Sequence, residues 1–151
     1  MHIRYLKLPD KTRPEGYSFY PFLNIYLRNG VNMRGTSALL DSGSLDTIFP
    51  ASMGEVLGLD IESGKPHEFQ SFNLQRTQGF VHKVALQVTN FPHWIDIDIA
   101  FVQSEHVVPV LGQLGFFDNY QIVFERFRRT FEINTKEDAL VRNRRGHGRG
   151  R

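Results

Sequence analysis

Cysteine is absent from the 151-residue chain. Disulfides, thiolate metal ligands and a cysteine nucleophile are therefore excluded, and a reducing, cytoplasmic setting is the expectation. No apolar run approaches the roughly 20 residues that cross a bilayer as a helix. The opening residues, MHIRYLKLPDKTRPEGY, are basic but lack an apolar segment followed by small residues, so neither a secretory signal nor a membrane partner is expected. Metal-hydrolase spacing is missing too. His67, His82, His93 and His106 stand 11 to 15 residues apart with no H-x-x-x-H or H-E-x-x-H pattern, and no metal or other cofactor is expected. No G-x-S-x-G surrounds Ser42 or Ser44, which removes the usual frame of a serine nucleophile. Repeats of fixed period are also lacking.

What remains is a chain of about one domain, 40% hydrophobic and 23% charged. A domain of this size buries roughly 70% of the surface its unfolded chain exposes, so a real core is available. The pI of about 9.0 misleads, because the basic charge is concentrated at one end. The last ten residues, RNRRGHGRGR, hold five of the 18 Lys+Arg, leaving 13 against 16 Asp+Glu in the rest. The body is mildly acidic. A Gly/Arg tail from about Lys136 has little to bury and reads as disordered, and it is the one feature that would suit a nucleic acid.

Short β-type segments dominate. FLNIYL alternates and is followed by Asn29-Gly30, a two-residue hairpin signal, and then by the mostly apolar TSALLD. Further strands are expected at HEFQSF, GFVHKVALQV, IDIDIAFV, PVL, YQIVFERF and RTFEI. Ile95, Ile97 and Ile99 fall on one face with Asp96 and Asp98 on the other, as in a half-buried sheet. ERFRR reads as an exposed strand with alternating polar positions, and Phe116, Phe117, Phe124, Phe127 and Phe131 as core or interface residues. Helix signals are few: Pro50 to Gly58 has Met53, Val56 and Leu57 at helical spacing, and QLGFFDNY has room for a turn or two.

Within the stretch ALLDSGSLDTIFP, Asp41 lies between Leu39-Leu40 and Ile48-Phe49. A carboxylate there is costly to desolvate unless something pairs with it. Asp, Ser and Gly are all turn formers, so a solvent-facing β-turn is the plain reading of these residues alone.

The longer string LLDSGSLDTIFP resembles the active-site loop of aspartic proteases, in particular the single-lobed, retropepsin-like members. The family pattern falls on Leu39, Leu40, Asp41, Ser42, Gly43, Ser44 and Thr47. Its downstream apolar pair and glycine fall on Val110, Leu111 and Gly112 in PVLGQLGFFDNY, and GFVHKVALQV is similar to the returning strand of the family's flap. The three features occur in order over residues 20–133. The resemblance implies an all-β fold: a closed, barrel-like sheet with a flap hairpin and one or two short helices. It divides the chain into an N-terminal segment (1–19), the protease-like domain (20–135) and the tail (136–151).

The resemblance also implies a chemistry. Peptide hydrolysis by this route uses two carboxylates sharing one proton, one activating a water and the other donating to the scissile carbonyl. Only Asp41 is followed by Ser/Thr-Gly, so the pair would form across a two-fold homodimer, Asp41 from each copy, acting on a protein or peptide. Ser42 would grip backbone across the axis, Gly43 would permit the tight turn and leave room for substrate, and Gly112 would let its strand pass close beneath the loop. Phe69, Phe72, Leu74 and Gly79 would lie in or near the flap. Where retroviral enzymes carry an acid and an Arg that pair near the interface, this chain has Leu45 and Gln113, which points to apolar packing or terminal strands instead. Ser44 donating to the carboxylate pair would favour its charged form and an acidic optimum. The rival from another class is a catalytically silent dimeric peptide-binding or scaffolding module of the same fold.

Overall fold

The structure is a computed structural model that describes residues 1–70, 76–104 and 106–147. Among the described residues, twelve strands and two α-helices follow in chain order: β1 (His2–Arg4), β2 (Leu6–Pro9), β3 (Tyr17–Tyr20), β4 (Phe22–Asn29), β5 (Asn32–Leu40), β6 (Ile48–Pro50), α1 (Ala51–Val56), β7 (Lys65–Gln70), β8 (Arg76–Val88), β9 (Ile95–Val102), β10 (Val110–Leu111), β11 (Tyr120–Glu125), β12 (Thr130–Thr135) and α2 (Lys136–His147). No helix among the described residues is long and apolar enough to cross a membrane.

Six of these strands close a barrel. The order β4-β5-β10-β6-β9-β8 returns on itself because β8 also pairs with β4, from Ile25↔Val88 to Arg28↔Ala85. Closure follows from the alternation along each strand, which turns Leu23, Ile25 and Leu27 of β4, Val84, Leu86 and Val88 of β8, and Ile97 and Ile99 of β9 to the same interior. Burying each such side chain contributes about 1.5–3 kcal/mol, and a one-residue slip would expose a whole strand's set. Phe49, Phe101 and Leu111 complete the core beneath the loop that carries Asp41. The expected all-β, barrel-like architecture with a protruding hairpin is what the chain adopts.

That hairpin is β7 with the first half of β8, paired from Lys65↔Val81 to Gln70↔Arg76. Phe72 and Leu74 lie outside the described residues. A separate sheet, β1-β12-β11, and the small pair β2-β3 flank the barrel.

Several local expectations need correction. The β4-β5 turn is centred on Gly30-Val31, not Asn29-Gly30, since Asn29 pairs with Asn32. Positive φ falls on Gly30 alone of the two, the pattern of a turn with glycine first. Both flanking asparagines are thereby free to donate to the Leu57 carbonyl at the end of α1, at 3.1 and 3.2 Å. Helix α1 buries Ala51, Gly54 and Leu57, leaving Val56 half exposed. ERFRR is a reversal rather than a strand: Arg126–Arg128 form one 3-10 turn and Arg129 takes the left-handed conformation that joins β11 to β12. This turns Phe127 outward, 81% exposed, and leaves Phe124 partly exposed, while Phe116 and Phe131 are buried. QLGFFDNY yields a single irregular turn over Gln113–Phe117, broken at Gly115, where φ is +81°.

Where disorder is expected from Lys136, residues Lys136–His147 form α2. Thr135 caps it, its hydroxyl accepting from the Asp138 N–H at 3.2 Å and donating to the Asp138 carboxylate at 2.8 Å. Glu137 and Asp138 in the first turn suit the helix dipole.

The crossing of β10 with its neighbours positions everything that follows. This two-residue strand runs parallel to β5 (Val110↔Leu39, Leu111↔Leu40) and antiparallel to β6 (Val110↔Ile48). Just beyond it the Gly112 N–H donates to the buried Thr47 hydroxyl at 3.1 Å. Thr47→Val keeps the shape and removes that acceptor, so it should lower the unfolding free energy by about 1–3 kcal/mol. Urea denaturation at unchanged slope measures this, and a loss under about 0.5 kcal/mol would show that the bond carries no weight.

Candidate active site

The loop between β5 and β6, Asp41 to Thr47, is closed by a tight turn. Ser44 N–H donates to the Asp41 carbonyl at 3.1 Å, and Gly43 N–H to Asp41 Oδ1 at 2.9 Å. Glycine at 43 serves this close approach, because a Cβ there would sit 3.2 Å from Asp41 Oδ1. A left-handed backbone plays no part, since Gly43 is not among the positive-φ glycines. Asp41 itself is half-buried, with its N–H bonded to the Leu111 carbonyl at 3.1 Å.

Carbonyl accounting shows how firmly the loop is held. The Ser44 and Leu45 carbonyls accept from the Gln113 and Leu114 N–H groups, each at 2.9 Å, and Thr47 O accepts from Ala100 N–H at 2.9 Å. The Ser42 carbonyl takes the Gln113 side-chain amide at 2.6 Å. Asp46 O takes the Ser44 hydroxyl at 2.8 Å. With Asp41 O, six of the seven loop carbonyls have a partner. The Ser44 bond corrects one expectation: its hydrogen goes to the Asp46 carbonyl, so it is not the donor that would favour a charged Asp41, and the argument for an acidic optimum loses its basis.

Gly112 occupies the place expected of it. A Cβ at this position would overlap the Asp46 carbonyl and crowd Leu45 O, so only glycine lets the β10 chain pass under the loop. Thr47, 2% exposed, lies directly against it.

A cleft of about 640 Å³ opens over this loop. Asp41, Gly43 and Ser44 contribute to its floor, Phe69 and Thr77 come from the hairpin, and Val102, Val107, Val108 and Val110 add apolar walls. Among the described residues, the charged side chains lining it are Asp41, Asp46 and Glu68, all acidic. Of the expected hairpin contacts, Phe69 lines the cleft. Gly79 is buried within β8 opposite Val102, where a Cβ would crowd the Phe69 ring at 2.9 Å and Phe101 O at 3.0 Å. It serves the sheet, and it does not line the cleft. Ser42 is exposed beside the turn.

Sequence reasoning missed the groups that tie this site together. Asp46 meets His67 of β7 at 3.4 Å, joining the loop to the base of the hairpin, and the His67 ring meets Phe69 edge-on at 4.6 Å. Gln113 was noted for the arginine it replaces, whereas its amide holds the loop. No local pattern marks either contact, because 21 residues separate the first pair and 71 the second. Among the described residues, no three His, Asp or Glu side chains gather where they could hold a metal ion.

No protein-family model and no curated protein matches the chain. Among solved structures, it is similar to a retropepsin-like aspartic protease from Rickettsia conorii, with a TM-score of 0.60 over 89% of this chain and 98% of that one. Identity is 12%, so the likeness is one of fold. The fold is retropepsin-like.

Proposed function

We propose that the protein is an aspartic endopeptidase, with Asp41 of two copies forming the catalytic pair across a two-fold axis. The observation that carries this reading is Asp41 on the floor of a cleft with apolar walls, on a loop whose backbone is already hydrogen-bonded. Its fold-level likeness to a protein titled an aspartic protease adds support.

Two carboxylates brought together cannot both ionise at little cost, so one proton is shared between them. The ionised member takes a proton from a water held between them as the water attacks the peptide carbonyl. The protonated member donates to the carbonyl oxygen, and collapse of the tetrahedral intermediate moves a proton to the leaving amine. Gly43 N–H on Asp41 Oδ1 orients the carboxylate for this. An extended peptide would lie between the floor and the β7-β8 hairpin, pairing through main-chain hydrogen bonds. Ile48, Phe69, Val102, Val107, Val108 and Val110 would receive apolar side chains on either side of the cut.

Wild-type protein and Asp41→Asn, incubated with a diverse peptide mixture from about pH 4 to 8 and read by mass spectrometry, test the reading directly. Cuts should appear with wild type and fall by at least about 10³-fold in the variant, as expected when both members of the acid-base pair, one from each copy, are lost. The rate should be bell-shaped in pH, because neither the doubly ionised nor the doubly protonated pair works. Uncut peptides that nevertheless bind would favour the silent peptide-binding module.

Sharing of the site between copies makes a second, independent prediction. Specific activity should rise with protein concentration, and Asp41→Asn added in excess should suppress wild-type activity by sequestering it in mixed pairs. Specific activity that stays constant down to nanomolar protein, with no suppression, would place the catalytic pair within one chain.

A further inference from the structure

The Gln113 side chain leaves the irregular turn after β10 and donates its amide N–H to the Ser42 carbonyl at 2.6 Å. Its own backbone N–H reaches the Ser44 carbonyl at 2.9 Å. One residue thus grips the Asp41–Ser44 turn at two carbonyls, one on each side of Gly43. The contact is exposed rather than buried, so burial does little to hold the side chain there. Among the described residues, no backbone N–H donates to Ser42 O. The other hydrogen bonds hold Asp41 through its N–H and fix the far end of the loop through Thr47. The Ser42 carbonyl that Gln113 holds belongs to the same peptide unit as the Gly43 N–H that points at Asp41 Oδ1.

We infer that Gln113 is a positioning residue for the Asp41 carboxylate, acting through the Ser42 carbonyl, and that it pre-orders the catalytic turn within each chain before any second copy arrives. This rests on the reading of Asp41 as catalytic. A glutamine suits the role because an amide supplies a neutral donor, adding no charge beside a carboxylate that must exchange protons. An isosteric carboxylate would supply acceptors only, and would face the Ser42 carbonyl unfavourably until it was protonated.

The experiment compares wild type, Gln113→Glu and Gln113→Leu for peptide cleavage across pH, and for amide exchange of the 41–47 loop. Near neutral pH both variants should lose about tenfold in kcat, the rate equivalent of one net hydrogen bond, with KM within about twofold. The Glu variant should regain rate relative to wild type as acid protonates the new side chain and restores a donor, whereas the Leu variant should not recover at any pH. Loss through general destabilisation would lower both variants without this difference in pH profile. Exchange at Gly43 and Ser44 should quicken by about tenfold in both variants at neutral pH, with the barrel strands unchanged. Wild-type kcat and unaltered exchange in both variants would overturn the inference. Absence of cleavage by wild type would count against the proposed function instead, and the exchange measurement would still decide whether Gln113 orders the turn.

Discussion

A buried hydrogen bond from the Gly112 N–H to the Thr47 hydroxyl fixes the point where two segments cross, and the cleft depends on that crossing. Strand β10 is two residues long and cannot hold itself, so it is clasped between β5 and β6 and then passes under the loop at a place where a Cβ would overlap the Asp46 carbonyl. The Asp41 N–H bonds to Leu111 O, one residue before the crossing. A shift at Gly112 therefore reaches Asp41 through one hydrogen bond and one peptide unit. This is why a threonine and a glycine, neither of which touches the cleft's open space, constrain the carboxylate that does.

Strand β8 plays the matching part on the other side of the cleft. Its 13 residues belong both to the barrel, through β9 and β4, and to the hairpin, through β7. The base of the hairpin is consequently as fixed as the barrel wall, and Gly79 marks the place where the two are pressed together over Phe101 and Val102. The Asp46–His67 contact ties the loop to that base, with exposed edges on both side chains. At ordinary surface strength such a pair contributes at most about 1 kcal/mol, so it aligns loop and hairpin without locking them. Phe69, resting on the His67 ring, carries that alignment to the cleft wall.

Much of this was legible because it is written in local pattern. Alternation in FLNIYL and IDIDIAFV gave the barrel strands, and the Asp-Ser-Gly and Val-Leu-Gly strings marked the two segments that cross. What stayed hidden depends on groups distant in sequence or on competition between signals. Asn29-Gly30 is a strong hairpin pair, yet register placed Gly30 first and Val31 second, because both asparagines then reach Leu57 O. The arginine-rich composition after Lys136 masked a Thr135…Asp138 capping pair that starts α2. Phe127 reads as core or interface on hydrophobicity alone, and its place in a three-residue turn, 81% exposed, removes the first of these. The Ser44 hydroxyl bonds the Asp46 carbonyl at 2.8 Å rather than the carboxylate, a choice no local pattern marks.

On the proposed reading, the loop's hydrogen bonds and the meeting of two copies do separate work. Each chain satisfies six of its seven loop carbonyls itself, so association has chiefly to supply the second carboxylate and the contact area that holds it there. Leu45 and Leu114, 58% and 50% exposed, stand beside the loop where no ion pair is available. Covering them on both copies would contribute roughly 3–6 kcal/mol, at half or so of the value for a fully buried leucine. Association costs at least about 4 kcal/mol, so these leucines alone would hold the pair weakly. A lasting dimer needs further area, and the edges of the β1-β12-β11 sheet, where Val123 and Phe124 carry exposed apolar surface, are where the chain has strand left to offer. On this reading the orientation of each Asp41 carboxylate is set by the fold of one chain, while the pairing of the two and the amount of active enzyme are set by how two chains meet.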